Sequence, residues 1–247
     1  MSGPPADGVL LQAEGLKKSF GALAVIDGVD LSIRAREAVG VVGPNGAGKT
    51  TLLSLLVGAH APTSGRVRFR GEDVTLEPTA ERCRRGLVRT HQIPRPFVGM
   101  TVFENVFAAA THGGELEQKA AYDKAIDSLA LTGMAPLANR RAETLGLIDR
   151  KRLELARALA TDPAVLLLDE IGGGLTDAEA DELVEIILEV KARGVAIVWI
   201  EHIVHVLLKA AERLVCMDAG RIIADGAPES VMADPRVIEA YLGGGVV

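Results

Sequence analysis

The sequence predicts an α/β chain with an antiparallel β layer near its start and a helical lobe in its middle, on three observations. Short, continuously apolar runs at 38–42 (AVGVV), 164–170 (AVLLLDE) and 195–202 (VAIVWIEH) precede helical patterns or loops, as strands of a doubly covered parallel sheet do. Alternating segments before and between them read as strands with one solvated face. The stretch 99–143 carries helical periodicity and lacks strand signals.

Taken in order, residues 9–13 open the β layer, and VDLSIR continues it, with Val29, Leu31 and Ile33 on one face against Asp30, Ser32 and Arg34. AVGVV then runs into the glycine-rich GPNGAGKTT (43–51) and the apolar helix TLLSLLVG. GRVRFRGEDV (65–74) returns to the alternating pattern, and MTVFENVFAAA with YDKAIDSLALTGM supplies the lobe. At TLGLIDRKRLELARAL (144–159) a well-patterned helix from Arg152 onward is preceded by Gly-Leu-Ile-Asp, where no strong cap stands. AVLLLDE and VAIVWIEH complete the core, each followed by a helical pattern.

Composition narrows the function. With 247 residues, 48% of them hydrophobic, the chain can bury a substantial core as one folded unit. A formal net charge of −6 argues against nucleic acid as a partner, since that role leaves a basic footprint. Cys83 and Cys216 are too few and too far apart in sequence for a disulfide framework, so a reducing compartment is expected. No apolar run approaches the ~20 residues of a membrane-spanning helix, so any service to a membrane is expected from its side.

The strongest chemical signal is GPNGAGKTT, which fits G-x-x-x-x-G-K-[ST] between a strand and a helix. Gly43, Gly46 and Gly48 let successive backbone N–H groups turn toward phosphate oxygens, and the helix N-terminus adds its positive dipole end. Asn45, Gly46, Ala47, Gly48, Lys49, Thr50 and Thr51 are therefore the expected nucleotide-binding residues, with Lys49 as the mobile cation and the Thr50 hydroxyl a ligand for Mg²⁺. Asp169 and Glu170 end an apolar strand and emerge at its carboxyl edge. Asp169 is expected to hold the metal and Glu170 to polarise the water that attacks the γ phosphate.

With these motifs in this order, the chain resembles the ATP-binding subunits of ABC transporters over nearly its whole length. The resemblance implies ATP and Mg²⁺ as cofactors. It also implies one ABC ATP-binding domain over 1–247: a P-loop NTPase (RecA-like) core, an antiparallel β subdomain and an α-helical subdomain over about 93–150. It places Phe20 where the family stacks an aromatic ring on adenine; a core Phe is the plainer reading. Gln92 takes the place of the glutamine that senses Mg²⁺ and the attacking water, and His202 that of the switch histidine on the γ phosphate, with His205 as helix surface. The expected catalytic set is thus Lys49, Gln92, Glu170 and His202, and the expected metal set Thr50, Gln92 and Asp169.

GLVRTHQ, MTVFENV and the ending ADGAPESVMADPRVIEAYLG are similar to the ATPase subunits of branched-chain amino acid importers. That likeness implies ATP-driven import of a small polar solute. It also implies transmembrane permease subunits and a second ATP-binding subunit as partners, an extracytoplasmic solute-binding protein indirectly, and a peripheral place on the cytoplasmic face of the membrane. Relatives that handle urea, amides or other amino acids remain open, since substrate choice lies with the other chains.

Two departures stand against the family pattern. Where a Leu-Ser-Gly-Gly-Gln signature closes over ATP on the opposite subunit of a head-to-tail dimer, this chain has Leu145, Gly146, Leu147, Ile148 and Asp149. A first-turn carboxylate consumes the anion-attracting potential of the helix end. Bare repulsion between unit charges about 6 Å apart, at an effective dielectric of about 20, is roughly 3 kcal/mol. After Glu170 the usual Pro and the Gly-Leu-Asp-Pro ending give way to Ile171, Gly172, Gly173, Gly174, Leu175, Thr176 and Asp177. The residues for the chain's own phosphate site are all present, so an asymmetric heterodimer is favoured over a homodimer. The alternative is a variant loop that closes normally through backbone N–H groups.

The arginines around Gln92 (Arg82, Arg84, Arg85, Arg89, Arg95) read as a solvated face. In the family this surface receives a coupling helix, which makes Arg95, Phe97 and Phe103 docking candidates. Two other function classes compete: a nucleotide-gated regulatory subunit with little hydrolysis, against which Glu170 and His202 stand, and a soluble ABC-type ATPase of repair or translation, which the acidic charge and single cassette disfavour.

Overall fold

The structure is a computed structural model that describes residues 8–201 and 204–243. The chain opens with a long antiparallel hairpin, β1 (Val9–Phe20) and β2 (Leu23–Arg34), then β3 (Ala38–Val42) and α1 (Lys49–Leu56). Next come β4 (Ser64–Phe69), β5 (Glu72–Asp73), the short α2 (Thr79–Arg84) and β6 (Leu87–Arg89). The lobe helices α3 (Val102–His112) and α4 (Gln118–Leu131) precede α5 (Leu147–Ala160) and β7 (Val165–Asp169). The rest runs α6 (Asp177–Ala192), β8 (Ala196–Ile200), α7 (Val204–Ala210), β9 (Arg213–Asp218), β10 (Arg221–Gly226), α8 (Pro228–Met232) and α9 (Pro235–Gly243).

Two sheets result. The antiparallel one has the order β2-β1-β4-β5, and the other has the order β10-β9-β3-β8-β7-β6, parallel except for the β9–β10 edge hairpin. Sequence reading anticipated β3, β7 and β8. It missed β6, β9 and β10, which are short or carry charged residues and so give little periodic signal.

Adjacent residues of one strand belong to different cores. Val39 and Val41 of β3, and Val165 and Leu167 of β7, join the core shared with the antiparallel sheet and α1; Val42, Leu166 and Leu168 face α5, α6 and α7. Burial on both faces explains why these strands read as unbroken apolar runs. The helical lobe has its own core around Val102, Val106, Leu129 and Met134. α5 serves both: Leu153, Ala156 and Ala160 pack into the lobe, while Leu155 and Leu159 pack under the sheet.

Helix starts follow local chemistry. α3 and α6 each begin with a complete capping box, Thr101 with Glu104 and Thr176 with Glu179. α5 lacks one: its N-cap is Gly146, with no side-chain cap. The solvated-face reading of the arginines needs correction at two of them. Arg82 is 1% exposed and donates to Leu55 O (2.8 Å), Leu56 O (2.6 Å), Thr75 O (2.8 Å) and Glu77 O (3.1 Å). The last carbonyls of α1 have no intrahelical donors, and this guanidinium supplies them. Arg89, the other, points inward at the site.

Candidate functional site

β3 ends at Val42, and loop 43–48 carries the chain straight into α1. Gly43 has φ +142°, and a Cβ there would lie 2.1 Å from the Met217 carbonyl oxygen, so no side chain fits. Gly48 caps α1 at φ +99° without a side chain, leaving first-turn N–H groups for an outside acceptor. Lys49 is buried and its Nζ donates to Gly43 O (2.7 Å) and Pro44 O (3.0 Å). Burial pushes its amine below the ordinary lysine value, against the pull of Glu170, Cys216 and Asp169. An open cavity of about 260 Å³ is lined by loop 45–48, Lys49, Thr50, Thr51, Val25 and Glu170.

The two acids arrive from β7, two strands from β3 in the sheet. Asp169 is 1% exposed; its Oδ1 faces the Thr50 hydroxyl at 3.4 Å and its Oδ2 pairs with Arg89 at 2.5 Å. Arg89 also donates to Ser54 Oγ at 2.8 Å, tying β6 and α1 to the acid. A hydroxyl beside a buried carboxylate is a hard-oxygen donor set that fits Mg²⁺. Among the described residues no cluster of three or more His, Cys, Asp or Glu forms, so such an ion would draw its other ligands from phosphate and water oxygens. Glu170 stands at φ +49°, unusual for a side chain other than glycine, and its N–H donates to Ile200 O at 2.9 Å. Its Oε2 accepts from Gln92 Nε2 at 2.5 Å.

The structure therefore brings Lys49, Thr50, Thr51, Gln92, Asp169, Glu170 and loop 45–48 to one edge of the sheet. Phe20 is 46% exposed, which excludes the core alternative. Its ring meets His60 edge-on at 5.5 Å, with Lys18 Nζ 4.9 Å from its centroid. It lies on the same hairpin as Val25 but is not among the residues lining the cavity. His202 lies outside the described residues, and His205 is exposed on α7.

Geometry of this kind matches a known family. The family model for the ABC transporter matches residues 26–172. The chain belongs to the ABC transporter ATPases. A second model, for the branched-chain amino acid ATP-binding cassette transporter, matches residues 221–247. Among curated relatives, the high-affinity branched-chain amino acid transport ATP-binding protein BraF of Pseudomonas aeruginosa is 34% identical over 95% of this chain and 98% of its own. LivG of Salmonella typhimurium, of the same description, is 37% identical over the same shares. LptB of Haemophilus influenzae, a lipopolysaccharide export system ATP-binding protein, is 35% identical over 95% of this chain and 97% of its own. A solved nucleotide-free ABC cassette superposes with a TM-score of 0.87 at 32% identity, over 94% of this chain and 98% of that one.

Several residues of this ABC cassette escaped the sequence reading. Glu154 of α5, buried, accepts from His91 N (3.1 Å) and meets His91 Nδ1 at 2.7 Å; Arg157 donates to Arg95 O (2.8 Å) and covers the Phe97 ring at 4.4 Å. The segment around Gln92 is thereby fastened to α5. Tyr241 of α9 accepts from Gly43 N at 2.9 Å, so the far C-terminus touches the phosphate loop. Only the i, i+3 spacing of Glu154 and Arg157 was a usable signal; the Tyr241 contact spans 198 positions. The altered signature and the altered loop also meet: a Cβ at Gly174 would lie 3.3 Å from Leu147. Asp149 has Arg152 at 3.9 Å, which weakens its repulsion of an anion.

Proposed function

We propose that this ATPase drives import of branched-chain amino acids through a membrane ABC transporter. The observation that carries the substrate reading is the match of residues 221–247 to the branched-chain cassette model, alongside relatives described as branched-chain amino acid transport proteins. Among the described residues no helix is long and apolar enough to cross a membrane, so transport needs permease subunits. The chain then sits peripherally on the cytoplasmic face and meets the solute-binding protein only through them.

In this reading the phosphates of ATP settle on loop 45–48, Lys49, Thr50 and Thr51, with Lys49 turning from its two carbonyls to the phosphate oxygens. Thr50, Asp169 and Gln92 would hold Mg²⁺, which would supply positive charge beside the phosphates. Glu170, oriented by Gln92, accepts the proton of the attacking water. Phe20 stacks on adenine. His202 is given the γ-phosphate contact on the family resemblance alone. Ile93 (73% exposed), Phe97 (45%) and Val98 (78%) form an apolar patch that, with Arg95, suits a coupling helix. Phe103 packs in the helical lobe, its ring against Phe107 and Tyr122.

The poor signature supports a heterodimer in which this chain's ATP meets a partner's intact signature. Gly146 offers no hydroxyl and Asp149 adds a charge.

Uptake of labelled leucine in cells lacking the chain, restored by the parent but not by Glu170→Gln, is the expected result. Unchanged leucine uptake with lost urea or amide uptake would reassign the solute. Full rescue by Glu170→Gln would make the chain a nucleotide-gated regulator.

A further inference from the structure

The loop that follows Glu170 is gripped from both sides by buried charges. Lys151, on the first turns of α5, is 6% exposed, and its Nζ donates to Ile171 O and Gly173 O, both at 2.6 Å. From the other side Glu201, 2% exposed at the end of β8, accepts from Gly172 N at 2.5 Å and from Trp199 Nε1 at 3.4 Å. Three consecutive residues thus offer carbonyl, N–H and carbonyl to fixed partners. Gly172 leaves no slack: a Cβ there would lie 2.9 Å from Glu201 Oε1.

A buried ammonium and a buried carboxylate are each costly to desolvate, so a fold that keeps both obtains something for them. Here the return is conformational. Glu170, immediately before the gripped residues, stands in the left-handed region at φ +49°. That region is unfavourable for a non-glycine residue and persists only where the surroundings over-determine it. Its amide is held by Ile200 O and its own carbonyl accepts from Gly173 N at 3.3 Å, so fixing residues 171–173 fixes Glu170.

We propose that Lys151 and Glu201 are positioning residues that clamp loop 171–173 and thereby aim the Glu170 carboxylate at the attacking water. The proposal rests on Glu170 being the base, and it gives the departure from the family's Pro-containing loop a purpose. The three glycines create space and freedom, and the clamp removes the freedom again.

The test is steady-state ATPase kinetics and nucleotide binding on the full chain assembled with its partner subunits. Lys151→Met is expected to lower kcat between about 10- and 100-fold, the scale of a small misplacement of a reacting group, with KM and ATP binding within about twofold of the parent. Lys151→Arg should recover most of the loss. Gly172→Ala, which removes no buried charge, serves as a second route should Lys151→Met fold poorly, and should show the same split. Trp199, the sole tryptophan, reports whether the clamp has moved through its fluorescence. Parent-like kcat in both Lys151→Met and Gly172→Ala, with Glu170→Gln inactive, overturns the clamp and leaves the base assignment standing. Retained hydrolysis in Glu170→Gln defeats the base assignment itself.

Discussion

The guanidinium of Arg82 closes the end of α1 from beneath, four donations to backbone carbonyls in one buried place. Replacing it takes the guanidinium donor from Leu56 O, Thr75 O and Glu77 O, while Leu55 O keeps Gly58 N at 3.2 Å, and each unsatisfied buried group costs about 1–3 kcal/mol. Arg82→Met is expected to lose at least about 3 kcal/mol in urea unfolding, while Arg84→Met, on an exposed pair with Glu81, stays within about 0.5 kcal/mol. Glu154 provides a pH-dependent counterpart. Burial alone would raise its pKa, but the His91 hydrogen bonds and the Arg157 charge outweigh that and hold the carboxyl below its ordinary value. A depressed folded pKa gives stability that is present above the unfolded value and is lost as pH falls through the folded one. The stability gap between parent and Glu154→Gln should therefore be present above the ordinary glutamate range and close as pH falls below that range, as read by thermal unfolding across pH. A gap that stays open or widens below that range would contradict this.

At the scale of elements, the phosphate loop was legible because its chemistry is local. Strand, glycines, lysine and helix occupy consecutive positions, so spacing alone located loop 43–48 and its Lys49. Asp169 and Glu170 were legible for the same reason, as the end of an unbroken apolar strand. What the sequence hid depends on residues distant in the chain: Arg89 reaching Asp169 across 80 positions, Lys151 reaching loop 171–173, and Tyr241 reaching Gly43. An arginine that caps a helix or pairs with a buried acid looks, in one dimension, like one that faces water. The α9 contact carries its own expectation. Tyr241→Phe removes one hydrogen bond from the phosphate loop, worth about 1 kcal/mol, and should raise the KM for ATP about fivefold with kcat little changed. An unchanged KM would show that α9 merely packs there.

At the scale of the molecule, α5 joins the parts. Its opposite faces belong to the lobe core and the sheet core, Glu154 and Arg157 fasten the Gln92 segment, and Lys151 fastens the loop after Glu170. Its uncapped first turn, 146–149, is where a partner's nucleotide is expected. Under the proposed reading, the chain's own phosphate loop and acids work against the intact signature of a second subunit, while segment 146–149 is a weak surface to offer in return. Gly146 has nothing within 4 Å of an added Cβ, so a serine can enter there without a clash. The decisive measurement is ATPase activity of the purified chain beside the variant Gly146→Ser, Leu147→Gly, Ile148→Gly, Asp149→Gln, across a range of protein concentrations. A gain of about tenfold or more in the variant, growing with concentration, is the predicted result. Equal and robust activity in both would mean that the native segment closes competently and that two copies of this chain suffice.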